Sequence, residues 1–217
     1  MSREPRQVVI LGNGGHAKSV ADAAGSAGFV VSGFLRLAGD RKPDAGSQEL
    51  QSLDEIDLES TEIALGIGTN FIRSRLAGEV MDSYPRARFV TVIHVTAWVS
   101  PLAKIAPGSV VLAQASVGPG AVLGFGTIMN TGSSLDHDAT MDSFASLGPG
   151  ARSGGDVSIG ERSMVGLQAG ILHGRTIGKD SVVGAKSLVM RDIPDLTVAW
   201  GVPCEPVRNR SLEEPYY

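Results

Sequence analysis

The feature that most restricts this chain is a period of six. From Val99 to Val189 every sixth residue is large and apolar: Val99, Ile105, Val111, Val117, Leu123, Met129, Leu135, Met141, Leu147, then Ser153, then Ile159, Val165, Ile171, Ile177, Val183 and Val189. Ser153 is the one exception among these sixteen positions. Two places earlier in each unit the residue is small in almost every case, as at Ala103, Ser109, Ala115, Ala121, Ser133 and Ala139. Gly often follows the large residue, as at Gly118, Gly124 and Gly148. A helix repeats at 3.6 residues and a strand at 2, so neither yields a period of six. The period is the hexapeptide signature of a parallel β-helix. Each unit is a short flat strand and a turn. The large residue points into the prism, the small one fits the corner, and Gly is expected to permit backbone shapes that a Cβ forbids. Three units make one coil, so the repeat spans about five coils, each stabilised by stacking on its neighbours.

Ahead of the repeat the pattern changes. Gln7–Leu11 is a short apolar run that ends in Gly12-Asn13-Gly14-Gly15-His16, and residues 17–27 are Ala-rich with apolar positions near helical spacing. Further strands are predicted at 29–35, 62–67 and 89–93, with a loop over 37–52. A helix is predicted over 71–83, with Ile72, Leu76 and Val80 on one face and Arg73 and Arg75 off it. This alternation implies a small parallel sheet with crossover helices. The expected organisation is a Rossmann-like β/α domain over residues 1–94, then the β-helix over residues 95–217 with a charged tail.

Charge narrows the partners. The chain carries 19 Lys and Arg against 23 Asp and Glu, a net −4, with both signs mixed along it. That argues against a nucleic-acid surface or a polybasic membrane patch. Cys204 is the only cysteine, which excludes an intrachain disulfide. No apolar run approaches the ~20 residues of a membrane span, and the polar first seven residues do not resemble a signal peptide. The expectation is a soluble cytoplasmic protein.

Three stretches carry chemistry. Gly12-x-Gly14-x-x-Ala17, between a strand and a helix, has the form of a phosphate-cradling turn. A nicotinamide site is disfavoured, because the second strand ends Phe34-Leu35-Arg36 without the acid that holds a ribose hydroxyl. A sugar or nucleotide-sugar site and a purely structural turn remain, and His16 lies in that loop. Asp136-His137-Asp138 falls on a turn of the repeat, where a carboxylate can orient the imidazole as a general base; the alternative is a solvated polar corner. His173 occupies the position of His137 two coils on. At the ~4.8 Å strand spacing the two are about 10 Å apart, too far to share a metal whose bonds to nitrogen are ~2.0–2.1 Å. Gly155 lies between them and leaves room for a ligand, unless it only serves its turn.

Gly-x-Gly-Gly-His on a β/α domain, joined to a repeat with Asn130-Thr131, Asp136-His137-Asp138 and a closing Gly201-Val202-Pro203, resembles the bacterial sugar acetyltransferases. These N-acetylate nucleotide-linked amino sugars or O-acetylate sialic acid. The resemblance implies a left-handed β-helix, acetyl-CoA as co-substrate, no metal and a homotrimer. It implies His137 as general base tuned by Asp138. It implies substrate contacts at Gly14, Gly15, His16, Gly68, Asn70 and Asn130, and cofactor contacts at Gly155, Leu167 and Ala185. Ser146 stands where the family commonly has a second His near the thioester. Arg36-Leu37 stands where it often has two acids. The implied activity is N-acetylation of a nucleotide-linked amino sugar, with O-acetylation of sialic acid or a related sugar as the alternative. Two readings of other classes remain. A γ-carbonic-anhydrase-like metal protein needs three histidines, and only His137 and His173 lie on the repeat. A non-catalytic sugar-nucleotide-binding β-helix would release no CoA thiol.

Overall fold

The computed structural model describes residues 6–35, 49–50 and 52–216, so Arg36 lies outside the described residues. The chain opens with β1 (Gln7–Leu11), α1 (Gly15–Ser26), β2 (Val30–Leu35) and β3 (Glu49–Leu50). After a 3-10 turn at Leu53–Glu55 come β4 (Thr61–Leu65) and α2 (Asn70–Ser83). The strands form a parallel sheet in the order β3-β2-β1-β4. The sheet is buried on both faces. Val8, Ile10 and Ala64 pack with Ala17, Val20 and Ala24 of α1. Val9, Leu11, Ile63 and Leu65 pack with Ala77 and Val80 of α2.

The rest is a three-walled prism. Two-residue strands stack at intervals of eighteen: Val110↔Ile128↔Ser146↔Met164↔Val182 on the first wall, Ser116↔Ser134↔Arg152↔Gly170 on the second, and Val122↔Thr140↔Ser158↔Thr176 on the third. The ladder predicted from the period of six fills the interior, with every member from Val111 to Val189 buried. An antiparallel hairpin, Thr197–Gly201 with Cys204–Asn209, extends the first wall.

The first wall carries the sheet domain, for a reason visible in its outward positions. Val92, Val110, Ile128, Met164, Val182 and Val198 are apolar there, and Val92 and Val110 join the α1 cluster. The same position on the third wall reads Lys104, Val122, Thr140, Ser158 and Thr176 and faces solvent or a half-exposed surface. Apolar area on one wall therefore seats the domain.

Three expectations change. The run 89–93 is not one strand: Phe89 bridges Ile63 of β4, whereas Val92–Ile93 pairs with Val110–Val111 and opens the first wall. The buried face of α2 is Asn70, Arg73, Ala77 and Val80, while Ile72 is 37% exposed. The glycines that follow ladder residues serve close approach and not an unusual φ. A Cβ at Gly118 would lie 2.7 Å from the backbone of Asp136 and His137 on the next coil. Positive φ falls instead on the last residue of each unit from Gly108 to Lys186, including Asp138 (57°), Phe144 (60°) and Asp156 (56°).

Candidate functional site

β1 and β4 are neighbours whose chains leave toward opposite faces, so a crevice opens beyond their carboxyl ends. It measures about 580 Å³ and is lined by Gly12–His16, Gly66–Thr69, Ile72, Arg75 and Glu79. The N-termini of α1 and α2 both meet it, an arrangement that favours an anion. Gly12 turns the chain at φ 107°, a conformation that costs a side chain dearly. At Gly14 and Gly15 an added Cβ would meet nothing, so their bareness faces open space.

A second cavity, of about 460 Å³, lies between the loop ends at His16 and Gly68 and the corner that follows the first wall. His16 and Gly68 line both spaces. Asn130, Met164, Leu167, Ala185 and Tyr216 complete much of its wall. Burial, and secondarily the Arg73 charge, push the His16 imidazole down to about 4, so it is neutral at physiological pH. Its Nε2 is buried and has no hydrogen-bond partner among the described residues.

Arg73 joins the domains. It is fully buried, and its five N–H groups donate to five oxygens. These are the carbonyls of Ile67 (2.8 Å), Gly68 (3.1 Å), Gly126 (2.8 Å) and Phe144 (2.8 Å), and Asn70 Oδ1 (2.7 Å). Burial lowers the guanidinium to about 10, which leaves it charged near neutrality. Asn70 is equally committed. Its Nδ2 donates to the carbonyls of Arg162 and Ser163, both at 3.0 Å, and its Oδ1 accepts from Arg73 and from Ser146 Oγ (2.9 Å). The Tyr216 hydroxyl accepts the Asn70 amide N–H at 2.8 Å. Burial raises that phenol to about 12.

His137 sits elsewhere, on the corner after the second wall, and lines neither space. Its Nδ1 lies 2.9 Å from Asp138 Oδ2, and its amide donates to Asp136 Oδ1 at 2.7 Å. The Asp138 hydrogen bond above all, with the Asp136, Asp138 and Asp156 charges, raises its pKa above the ordinary value. With Nδ1 facing Asp138, the neutral tautomer that pairs best with it carries its proton there and leaves Nε2 free as a base. The ring rests over Gly155, whose added Cβ would fall within its Cε1 and Nε2.

Known proteins give this geometry a lineage. Residues 7–80 match the family model described as the PglD N-terminal domain. A variant of the perosamine N-acetyltransferase from Caulobacter crescentus, solved with CoA and GDP-perosamine, superposes with a TM-score of 0.86 at 32% identity. The match covers 94% of this chain and 97% of that one. The chain belongs to the bacterial sugar acetyltransferases of the hexapeptide type. The acetyltransferase domain of PglB from Neisseria gonorrhoeae, solved with acetyl coenzyme A, also superposes at 0.86 with 32% identity, over 94% of this chain and 100% of that domain. Curated sequence relatives match a shorter stretch, about a third of their own length. The galactoside O-acetyltransferase of Escherichia coli is 41% identical over 61 residues, which is 28% of this chain and 30% of that protein.

Within this acetyltransferase the expected site residues part into groups. Gly14, Gly15, His16 and Gly68 line the crevice, and His16, Gly68, Asn130, Leu167 and Ala185 line the second cavity. Three of the expected residues make close contacts within the chain. Asn70 has no side-chain donor or acceptor left for a substrate. Ser146 is 3% exposed behind Met164, and its hydroxyl has Asn70 Oδ1 and the Met164 sulfur within hydrogen-bond distance. Gly155 seats the His137 ring and does not adopt a positive φ. Arg73 and Tyr216 went unrecognised in the sequence. Gly155→Ala is accordingly expected to displace the imidazole and lower kcat by about 10²-fold, with the KM for acetyl-CoA unchanged. Equal losses in kcat and acetyl-CoA affinity would return Gly155 to the cofactor.

Proposed function

We propose that this acetyltransferase moves the acetyl group of acetyl-CoA to the amine of a nucleotide-linked amino sugar, with His137 as the base. The observation that carries this reading is the His137–Asp138 pair, in a chain that follows a perosamine N-acetyltransferase over nearly its whole length. The crevice between the helix N-termini suits the diphosphate, with Arg75 on its rim as a counter-charge. The sugar then extends past His16 toward Asn130. The aliphatic lining around Leu167 and Val182 suits the pantetheine arm of acetyl-CoA. The amine attacks the thioester carbonyl as its proton passes to His137 Nε2. The C–N bond forms, the C–S bond breaks, and the proton leaves with the CoA sulfur. Transfer to a hydroxyl is the second reading, favoured by the local match to the galactoside enzyme. Thiol release from acetyl-CoA over a panel of amino-sugar nucleotides and sialic acids decides between them, and no release with any acceptor refutes both.

The working unit is a homotrimer in this reading. Asn130 lies on the corner after the first wall and His137 on the corner after the second, so a base and a cavity on one chain face apart. Packing prisms around a three-fold axis brings one chain's base to its neighbour's cavity. His137→Ala and Gly14→Val are each expected to be nearly inactive. Mixed and allowed to exchange subunits, they should recover roughly a quarter of wild-type activity, the statistical share of sites with both parts intact. No recovery after proven exchange means that base and cavity act within one chain. A cytoplasmic setting fits a consumer of acetyl-CoA with one buried thiol; no helix among the described residues is long and apolar enough to cross a membrane.

A further inference from the structure

The one break in the ladder lies one coil beyond the base. Ser153 is 8% exposed, in a column where every neighbour is aliphatic. Its hydroxyl accepts the backbone N–H of Asp136 at 3.1 Å. Elsewhere on that wall the corresponding amides donate to ladder carbonyls, Gly118 to Leu135 and Gly154 to Ile171, both at 2.8 Å. Strand pairing records the same interruption. The strand at Ser134–Leu135 pairs through two residues with the coil before it but through Ser134↔Arg152 alone with the coil after. Pairing through two residues resumes at Arg152–Ser153 with Gly170–Ile171. The lapse falls at Asp136, whose carboxylate holds the His137 amide.

We propose that Ser153 is a positioning residue for His137: its hydroxyl takes the Asp136 amide and thereby fixes the turn that presents the imidazole over Gly155. The inference rests on His137 being the base. A Val, Leu or Ile at 153 would fill the prism better but would offer the Asp136 amide no acceptor. Ser153 and Gly155 then act from one coil on the turn before it, one holding its backbone and the other admitting its ring. A buried polar group in an apolar column persists only with its bond made, and this bond is made to the catalytic turn.

Val and Thr have the same shape, so Ser153→Val and Ser153→Thr differ in the hydroxyl alone. Ser153→Val is expected to lose about 10–10²-fold in kcat, with both KM values within about twofold and a melting temperature no lower than that of the Thr variant. Ser153→Thr is expected to retain kcat within about threefold. Ser153→Ala removes the hydroxyl without adding bulk and should match Val in kcat, which covers the case in which the branched variants fold poorly. Equal kcat in all three, in an enzyme that still requires His137, overturns the inference alone. Wild-type turnover in His137→Ala overturns the base assignment and this inference with it.

Discussion

His137→Ala is expected to lower kcat by about 10²–10⁴-fold, the usual worth of a positioned general base, while sugar and acetyl-CoA still bind. The imidazole is largely exposed and touches neither cavity of its own chain, so its removal leaves the binding walls intact. The pH profile supplies a second check. A base works unprotonated, so the acid limb of kcat/KM rises through the His137 pKa. That pKa is raised chiefly by the Asp138 hydrogen bond, so the limb lies at higher pH than for a free imidazole. Asp138→Asn should move it to lower pH and reduce the plateau, because the partner that favours the productive tautomer is weakened. An unmoved limb in Asp138→Asn removes Asp138 from the mechanism, and near-normal turnover in His137→Ala removes His137.

Arg73→Met is expected to destabilise the fold by roughly 3–5 kcal/mol, the range seen when a buried charge network loses a partner. The substitution keeps much of the side chain's volume and deletes five donors. Four backbone carbonyls, two from the sheet domain and two from the prism, lose a buried hydrogen bond each. An unsatisfied buried acceptor costs about 1–3 kcal/mol before any relaxation. For a chain of this size the melting temperature should fall on the order of 10 °C. Arg73→Lys should recover little, since one ammonium does not span the five oxygens of a planar fork. A loss under about 1 kcal/mol in Arg73→Met would mean that water replaces the guanidinium without penalty.

The prism was legible because its signal repeats. A ladder of sixteen positions tolerates Ser153 as noise, and the noise itself marks the turn that carries His137. The docking wall was legible in principle too, as apolar residues at every eighteenth outward position from Val92 to Val182, interrupted only by Ser146. Arg73 and Asn70 could not be read this way. Their partners are mostly backbone carbonyls, which every residue possesses, so no pattern of side chains foretells them. A cation on a helix is ordinarily solvated, and only the docking of a second domain buries this one. Tyr216 escaped for a related reason. It reaches α2 across 146 residues of chain, from a segment whose composition reads as tail. At Gly155 the spacing located a bare position without saying that the His137 ring lies against it.

The stacking interval of eighteen also limits how such a chain can change length. Loops can grow at a corner without disturbing what lies beyond it. An insertion of six residues within the prism, by contrast, turns every later unit through one third of a revolution. Placed between Asn130 and Leu167, it would carry Leu167, Ala185 and the hairpin to a different edge and leave half a cavity behind on the first. A deletion or duplication of one whole coil keeps every edge aligned but moves His137 nearer to or farther from one end. Lengths in this lineage are therefore expected to differ by whole coils or by loops at the edges.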